Sequence, residues 1–227
     1  MSFGEIIKVH PFNNAAAWDH RSTRWAWVAH VALIVTGLVG WIALWVVLLQ
    51  VSLWTPNWVV WVFMPYFIYG PYRAVVQLKY FPAAFLMLRI LRAYPWRIVR
   101  DAPRGLTRRP EVVSKQYGWF EFPNPSRPEQ WLALVFPSHL RRRWWSRRMS
   151  PLAKRSLQEE IETIWFAGDP RFIGIISAPP RWGAVPRRLR VVEQRTDARS
   201  GTRFVDWGAT PDDIERGQRA GVYPANP

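Results

Sequence analysis

The sequence predicts a membrane α-helical hairpin, two transmembrane helices, joined to a small cytoplasmic α+β domain with an antiparallel sheet. Three observations predict it. From Val28 to Leu49 there is no charged residue, and at about 1.5 Å per helical residue this run covers the roughly 30 Å hydrocarbon core of a bilayer. Trp58 to Val76 nearly repeats the pattern, with one arginine, Arg73, near its inner end. Beyond residue 116, short β-branched and aromatic runs are bounded by Pro, Gly and Asp, which is how strands read in sequence.

The 227 residues suit one hairpin and one domain of ordinary size. The formal charge is +15, and its placement matters more than its size. Residues 1–24 carry three Lys/Arg against two acids, the loop 50–57 carries none, and 73–227 hold the other 28 basic residues. Basic flanks mark the inner side of membrane helices, so both termini are expected in the cytoplasm, with the hairpin in the plasma (inner) membrane. The chain has no cysteine, which excludes disulfides, thiolate catalysis and Cys-ligated metals, and fits a reducing compartment.

Residues 1–24 are polar with small residues, and are read as irregular or as a short interfacial helix. The apolar run that follows starts late, is too long for a signal-peptide core and lacks an A-x-A exit, so it is expected to stay in the membrane. The hairpin is assigned to 25–78, with crossings at about 28–49 and 58–76. Ala32, Thr36 and Gly40 recur every four residues on one helical face, where small side chains let another backbone approach. The first expectation is that this face packs on the second helix of the hairpin, the alternative being a separate partner. Trp25, Trp27, Trp54, Trp58 and Trp61 fall near the two interfaces and read as anchors. His30, one turn inside the boundary, reads as neutral and hydrogen-bonded. Pro65 and Pro71 kink the second helix and free backbone carbonyls that a neighbour must satisfy.

Residues 79–98 are apolar but carry Lys79, Arg89, Arg92 and Arg97. The piece from Ala83 to Tyr94 spans only 12 residues, too short to cross. With Arg89 and Arg92 three apart on one side, it reads as an amphipathic helix on the inner membrane surface, the rival being a first helix of the soluble domain. A linker is assigned to 99–116 and a basic α+β domain to 117–227. Strands are expected at Tyr117–Phe122, Trp131–Phe136, Thr163–Phe166, Phe172–Ser177, Leu189–Arg195 and Arg203–Trp207, with hairpin turns at Ala167–Arg171 and Thr196–Thr202. A helix is expected from Ser150-Pro151 to about Ile161. Another starts at Thr210-Pro211-Asp212-Asp213, a capping threonine followed by proline and acids where the helix dipole favours them, and ends at Gly221.

A search for catalytic signatures finds no phosphate loop, dinucleotide fingerprint, nucleophile elbow or zinc-protease motif. His10, His20, His30 and His139 are scattered, so no metal site and no cofactor is expected. Asp169 lies in a turn, where an acid ordinarily bonds its own backbone. The strongest local feature is Arg141, Arg142, Arg143, Trp144, Trp145, Arg147 and Arg148, extended by Lys154 and Arg155: seven positive charges in 15 residues without an acid. It can lie on anionic inner-leaflet lipid with its tryptophans in the interface, bind nucleic acid through phosphates and stacking, dock an acidic partner, or be a solvated loop. Tethering at a membrane favours lipid. The chain is therefore expected to be a non-enzymatic anchoring or assembly protein. Arg141 to Arg148, with Arg89 and Arg92, would contact lipid or a partner, and Ala32, Thr36 and Gly40 would pack helices. A protein partner or a second copy is expected, nucleic acid less so. Two alternatives stand beside this: a subunit of a transport or secretion complex, including DNA transfer, and a membrane enzyme. The enzyme, acting on a lipid or an anionic metabolite, would need two or more of Asp169, Glu193, Asp206, His139 and the arginines to converge in one pocket.

Overall fold

The structure, a computed structural model, describes residues 10–11, 15–106, 118–137, 143–178, 186–194 and 202–222. The chain divides into two units, Trp27–Phe85 and Met1–Ala26 with Leu86–Pro227.

The first unit is built on α1 (Arg21–Trp54) and α2 (Asn57–Leu78). At 34 and 22 residues they extend about 51 and 33 Å, and both are long and apolar enough to cross a membrane. Their surfaces are the reverse of a soluble protein's, with Leu33, Val39, Val47, Trp61 and Ile68 between 56% and 73% exposed. The expected outer loop of 50–57 shrinks to Thr55 and Pro56, because α1 continues through Trp54 and the Ser52 hydroxyl turns back to donate to the Leu49 carbonyl at 2.7 Å.

Pro71 is tolerated inside α2 for a visible reason. Pro71 has no N–H to give the Phe67 carbonyl one turn earlier, and the Trp45 indole of α1 donates to that oxygen instead, at 3.3 Å. Gly70 leaves the room: a Cβ there would stand 3.1 Å from the Trp45 ring. Farther along, the Gln77 side-chain amide donates to the Ile34 carbonyl at 3.5 Å and lies against Gly37, where a Cβ would collide with it. Gly37 therefore makes the close approach between α1 and α2. The expectation that Ala32, Thr36 and Gly40 face the second helix is corrected. All three are exposed, and a Cβ on Gly40 would meet nothing within 4 Å. Gly37 sits about 100° around the helix from Thr36, and only its side of α1 is taken.

The second unit is an antiparallel sheet of eight strands among the described residues, in the order β1-β2-β6-β7-β8-β5-β4-β3. The strands are β1 (His10–Pro11), β2 (Arg97–Arg100), β3 (Arg104–Gly105), β4 (Trp119–Asn124), β5 (Arg127–Val135), β6 (Thr163–Asp169), β7 (Ile173–Ala178) and β8 (Arg187–Glu193). Its core is aromatic. Phe122 stacks on Phe166 at 4.2 Å, and Phe120 meets Phe136 and Trp145 edge-on at 6.0 and 5.9 Å, with Leu134, Ile164, Ile176 and Val192 around them. The β6–β7 hairpin forms where the Ala167–Arg171 turn is expected. Gly168 pairs with Gly174 across it at φ +149°, so close that a Cβ on either would strike the opposite strand or Phe166.

Several boundaries differ from expectation. The assigned linker contributes β3 and the second half of β2, whose first half falls in the expected helix 79–98, and the N-terminal segment contributes β1 at the sheet edge, where proline is harmless because no donor is needed outward. Trp96 donates to the Thr23 hydroxyl at 2.9 Å, and the Ala17 N–H to the Tyr94 carbonyl at 2.9 Å, so the first turn of α1 and the residues before it are sewn to the chain after α3. Helix α3 (Tyr80–Ala93) occupies most of the expected 79–98, and from Met87 on its apolar side is buried in this unit: Met87, Ile90 and Leu91 are at most 3% exposed. The helix expected from Ser150 to about Ile161 shortens to α5 (Arg155–Glu159), and a separate helix, α4 (Arg143–Met149), ends just before Ser150, because proline just after a helix end stops it as readily as it starts one. The expected strand Arg203–Trp207 is α6 (Thr202–Asp206). Phe204 and Trp207, three apart, share one helical side, their rings 6.2 Å apart, and Phe204 packs on Phe172 at 4.7 Å. The Thr196–Thr202 turn falls outside the described residues but for Thr202, which opens α6. Helix α7 (Pro211–Arg219) starts as read. The Thr210 hydroxyl accepts from the Asp213 N–H at 3.2 Å and the Asp213 carboxylate from the Thr210 N–H at 3.1 Å, and Gly221 closes the end at φ +99°.

Candidate functional site

The arginine–tryptophan run folds as α4, and helical spacing splits it. Trp145 and Met149 lie four apart and face the core, Trp145 at 1% and Met149 at 6% exposure. Trp145 is thus corrected from a surface contact to a core residue: its ring is enclosed by Phe120, Phe136 and Trp144, and cannot enter a lipid interface in this fold. Trp144 is half-buried. Its ring lies 3.8 Å from the Arg148 guanidinium carbon and 4.5 Å from that of Arg188, a cation on an aromatic face twice over. Arg148 is also tied down, its Nη2 2.6 Å from Glu160 with both side chains mostly buried. That bond fastens α4 to the end of α5. Arg147 is exposed. Arg141 and Arg142 lie outside the described residues, and for Arg143 only the backbone, at the start of α4, is described. Arg89 and Arg92 are exposed on α3, with Arg92 5.6 Å from the Trp18 ring. Of the arginines singled out by sequence, Arg147, Arg89 and Arg92 are thus exposed among the described residues, and so are Lys154 and Arg155 beside them.

At the end of the sheet formed by the β6–β7 turn lies a buried polar cluster that sequence reading leaves in pieces. Arg171, with a side chain 3% exposed, donates to both oxygens of Asp169, the shortest bond 2.6 Å, and its Nη2 also reaches Asp213 at 2.9 Å. Its Nη1 donates to the Ser126 hydroxyl at 3.0 Å and the Gly208 carbonyl at 2.9 Å. One guanidinium thereby joins the β6–β7 turn, the β4–β5 turn, the chain after α6 and the first turn of α7. Burial disfavours its charge, but the two carboxylates outweigh that and hold it above the ordinary arginine value. Burial alone would raise the Asp213 carboxyl. The Thr210 N–H and hydroxyl and the Arg171 charge overcome it, and the net direction is down. Tyr94 is buried beside this cluster, and its hydroxyl has no hydrogen-bond partner among the described residues. Burial first, then the Asp169 charge, push the phenol above its ordinary range, so it stays protonated at any physiological pH.

This cluster has the composition of a structural tie. Asp169 is consumed by Arg171, Asp206 is exposed on α6, and His139 is outside the described residues. Glu193 stands beside Ile173, itself opposite Asp169, which puts the two acids two strands, about 10 Å, apart. Among the described residues no three His, Asp or Glu side chains gather as metal ligands. The only local hint of Arg171 was its place two residues after a turn aspartate. Asp213 was read as a cap, but its second role needs a partner 42 positions away that no local pattern supplies. Compared with known protein families, with curated proteins and with solved structures, the chain matches none.

Proposed function

We propose that this is an integral membrane anchoring and assembly protein: α1 and α2 cross the inner membrane, both termini lie in the cytoplasm, and the sheet unit is presented there to anionic lipid or to a partner protein. The observation that carries the reading is the apolar exposure of the helices. Only 6% of the most apolar stretch of α1 is buried, against a sheet unit whose aromatic core is closed. In water that exposed surface costs about 25 cal/mol per Å², and a bilayer removes the cost. Orientation follows from the basic residues beyond α2. Lipid contact is assigned to Arg141, Arg142, Arg143 and Arg147, with Arg89 and Arg92, each worth on the order of 1 kcal/mol near an anionic surface.

Because the chain lacks cysteine, Leu152→Cys, 94% exposed beside α4, accepts an environment-sensitive label without other changes. In full-length protein reconstituted into vesicles, its emission should shift to the blue as phosphatidylserine is added and return with salt. Serine at 141, 142 and 143 should abolish the shift. Emission indifferent to anionic lipid removes the lipid contact.

A second reading, a subunit of a larger membrane assembly, is favoured by the uncovered face of Ala32, Thr36 and Gly40.

A further inference from the structure

Arg73 lies on α2 about 7.5 Å inside its last residue, Leu78. An arginine that escapes to the headgroups runs along its helix toward the nearer end. Arg73 instead reaches sideways: its guanidinium carbon is 5.5 Å from the Trp41 ring of α1 and 5.8 Å from the Tyr69 ring, and those two rings meet edge-on at 5.5 Å. Its Nε is buried with no hydrogen-bond acceptor among the described residues. Aromatic faces soften a cation's desolvation but do not neutralise it.

The counter-charge is not in this chain's membrane segment. Between Asp19 and Asp101 there is no acidic residue at all, whereas Arg73 is accompanied by Lys79, Arg89 and Arg92. A second copy supplies only the same cation, so charge speaks against a symmetric dimer here. Beside the site, Trp41 continues into a groove of about 290 Å³ with Thr36, Gly37, Gly40 and Leu44. Thr36 and Gly40 are exposed there, and Gly40 has open space where a side chain would stand. Small residues at this spacing admit a helix backbone closely, and charged groups inside membranes ordinarily pair.

We propose that Arg73 and the Thr36–Gly40 face form a docking site for a transmembrane helix of a different protein, one carrying a single Asp or Glu at the depth of Arg73. The helix packs its backbone into the Gly40 groove and its carboxylate takes the guanidinium that Trp41 and Tyr69 hold. This rests on the membrane-crossing reading above.

The test uses the full-length protein in neutral-lipid vesicles with a synthetic polyleucine–alanine transmembrane peptide bearing one glutamate at matching depth, and energy transfer between labels as readout. The glutamate peptide should associate about tenfold more tightly than its glutamine or all-leucine counterparts. Arg73→Met should erase the difference. Gly40→Leu, which leaves the charge alone, should weaken all three peptides. Arg73→Glu should switch the preference to a lysine peptide. Equal binding of the three peptides to the native chain overturns the proposal. So does transfer between two labelled copies that the glutamate peptide does not compete away, which assigns the face to self-association. Loss of glutamate preference only when anionic lipid is added would assign Arg73 to lipid phosphate, and likewise overturns it. Alkaline carbonate extraction of the same samples separates the two levels. A chain stripped from the vesicles fails as a membrane-crossing protein, while a chain that is retained but indifferent to glutamate fails only here.

Discussion

Replacing Arg171 with methionine should be among the most damaging single changes in the sheet unit. The guanidinium is 3% exposed, and it satisfies Asp169, 8% exposed, as well as Asp213, Ser126 and the Gly208 carbonyl. Methionine fills much of the volume and keeps the backbone N–H at 171 that Asp169 accepts at 2.9 Å, but leaves Asp169 as a buried charge without a counter-charge. Breaking a buried ion pair by removing one member costs about 3–5 kcal/mol, a large part of the roughly 5–15 kcal/mol that holds a domain together. For a unit of this size that lowers the unfolding midpoint by about 10–15 °C. The assay is thermal unfolding of the full-length protein in nanodiscs, followed by near-ultraviolet circular dichroism, to which Trp207 and its aromatic neighbours contribute. Adding Asp169→Asn to Arg171→Met should recover about half of the loss, because the buried charge then disappears along with its partner. A single variant within about 1 kcal/mol of the native chain, or a double variant no better than the single, would refute the assignment of this cluster as the tie between four loops.

Other consequences follow from the same contacts. The Asp213 carboxyl is held below its ordinary 3.8, so the unfolded chain binds its proton more tightly. Its contribution is therefore complete above that value and is lost as pH falls below it. In Arg171→Met this acid-dependent loss should be smaller, as read from midpoints measured between about pH 3 and 6. Trp45→Phe removes the donor that serves the Phe67 carbonyl freed by Pro71, and should destabilise the hairpin by about 1–2 kcal/mol in mixed-micelle unfolding, with no change in the sheet unit. Trp145→Ala should cost about 3–5 kcal/mol as a core truncation. Trp144→Ala should cost about 1–2 kcal/mol, lost mainly from its two guanidinium contacts. Similar losses for both tryptophans would show that α4 does not orient them as described.

Legibility in the sequence followed the range of the causes. The two long helices were legible because a long apolar run is a local fact, uncharged over Val28–Leu49 and broken by Arg73 alone over Trp58–Val76. So were α7, whose capping box is complete within Thr210–Asp213, and the β6–β7 hairpin, whose turn residues sit between its strands. What escaped depends on partners far along the chain. Strand β2 exists because Ile98 pairs with Trp165 on one side and His10 on the other, and nothing within residues 97–100 announces either. The domain assigned by sequence, 117–227, would lack β2 and β3 and bare the edges of β6 and β4. Trp145 was masked by its charged neighbours, although its four-residue spacing to Met149 was a readable core signal. The opposite error affected Ala32, Thr36 and Gly40. Their spacing defines a face, but spacing cannot say which neighbour takes it, and Gly37, one residue off the pattern, is the glycine that meets α2.

The central claim, that α1 and α2 cross the membrane as a hairpin with the sheet unit inside, is open to one direct measurement. The cysteine-free chain permits single substitutions at Pro56, in the turn between the helices, and at Leu152, in the sheet unit. A membrane-impermeant maleimide added to intact spheroplasts should label Pro56→Cys at once and Leu152→Cys only after permeabilisation. Labelling of Leu152→Cys from outside, or of neither position until the membrane is broken, would contradict the hairpin's orientation or its crossing.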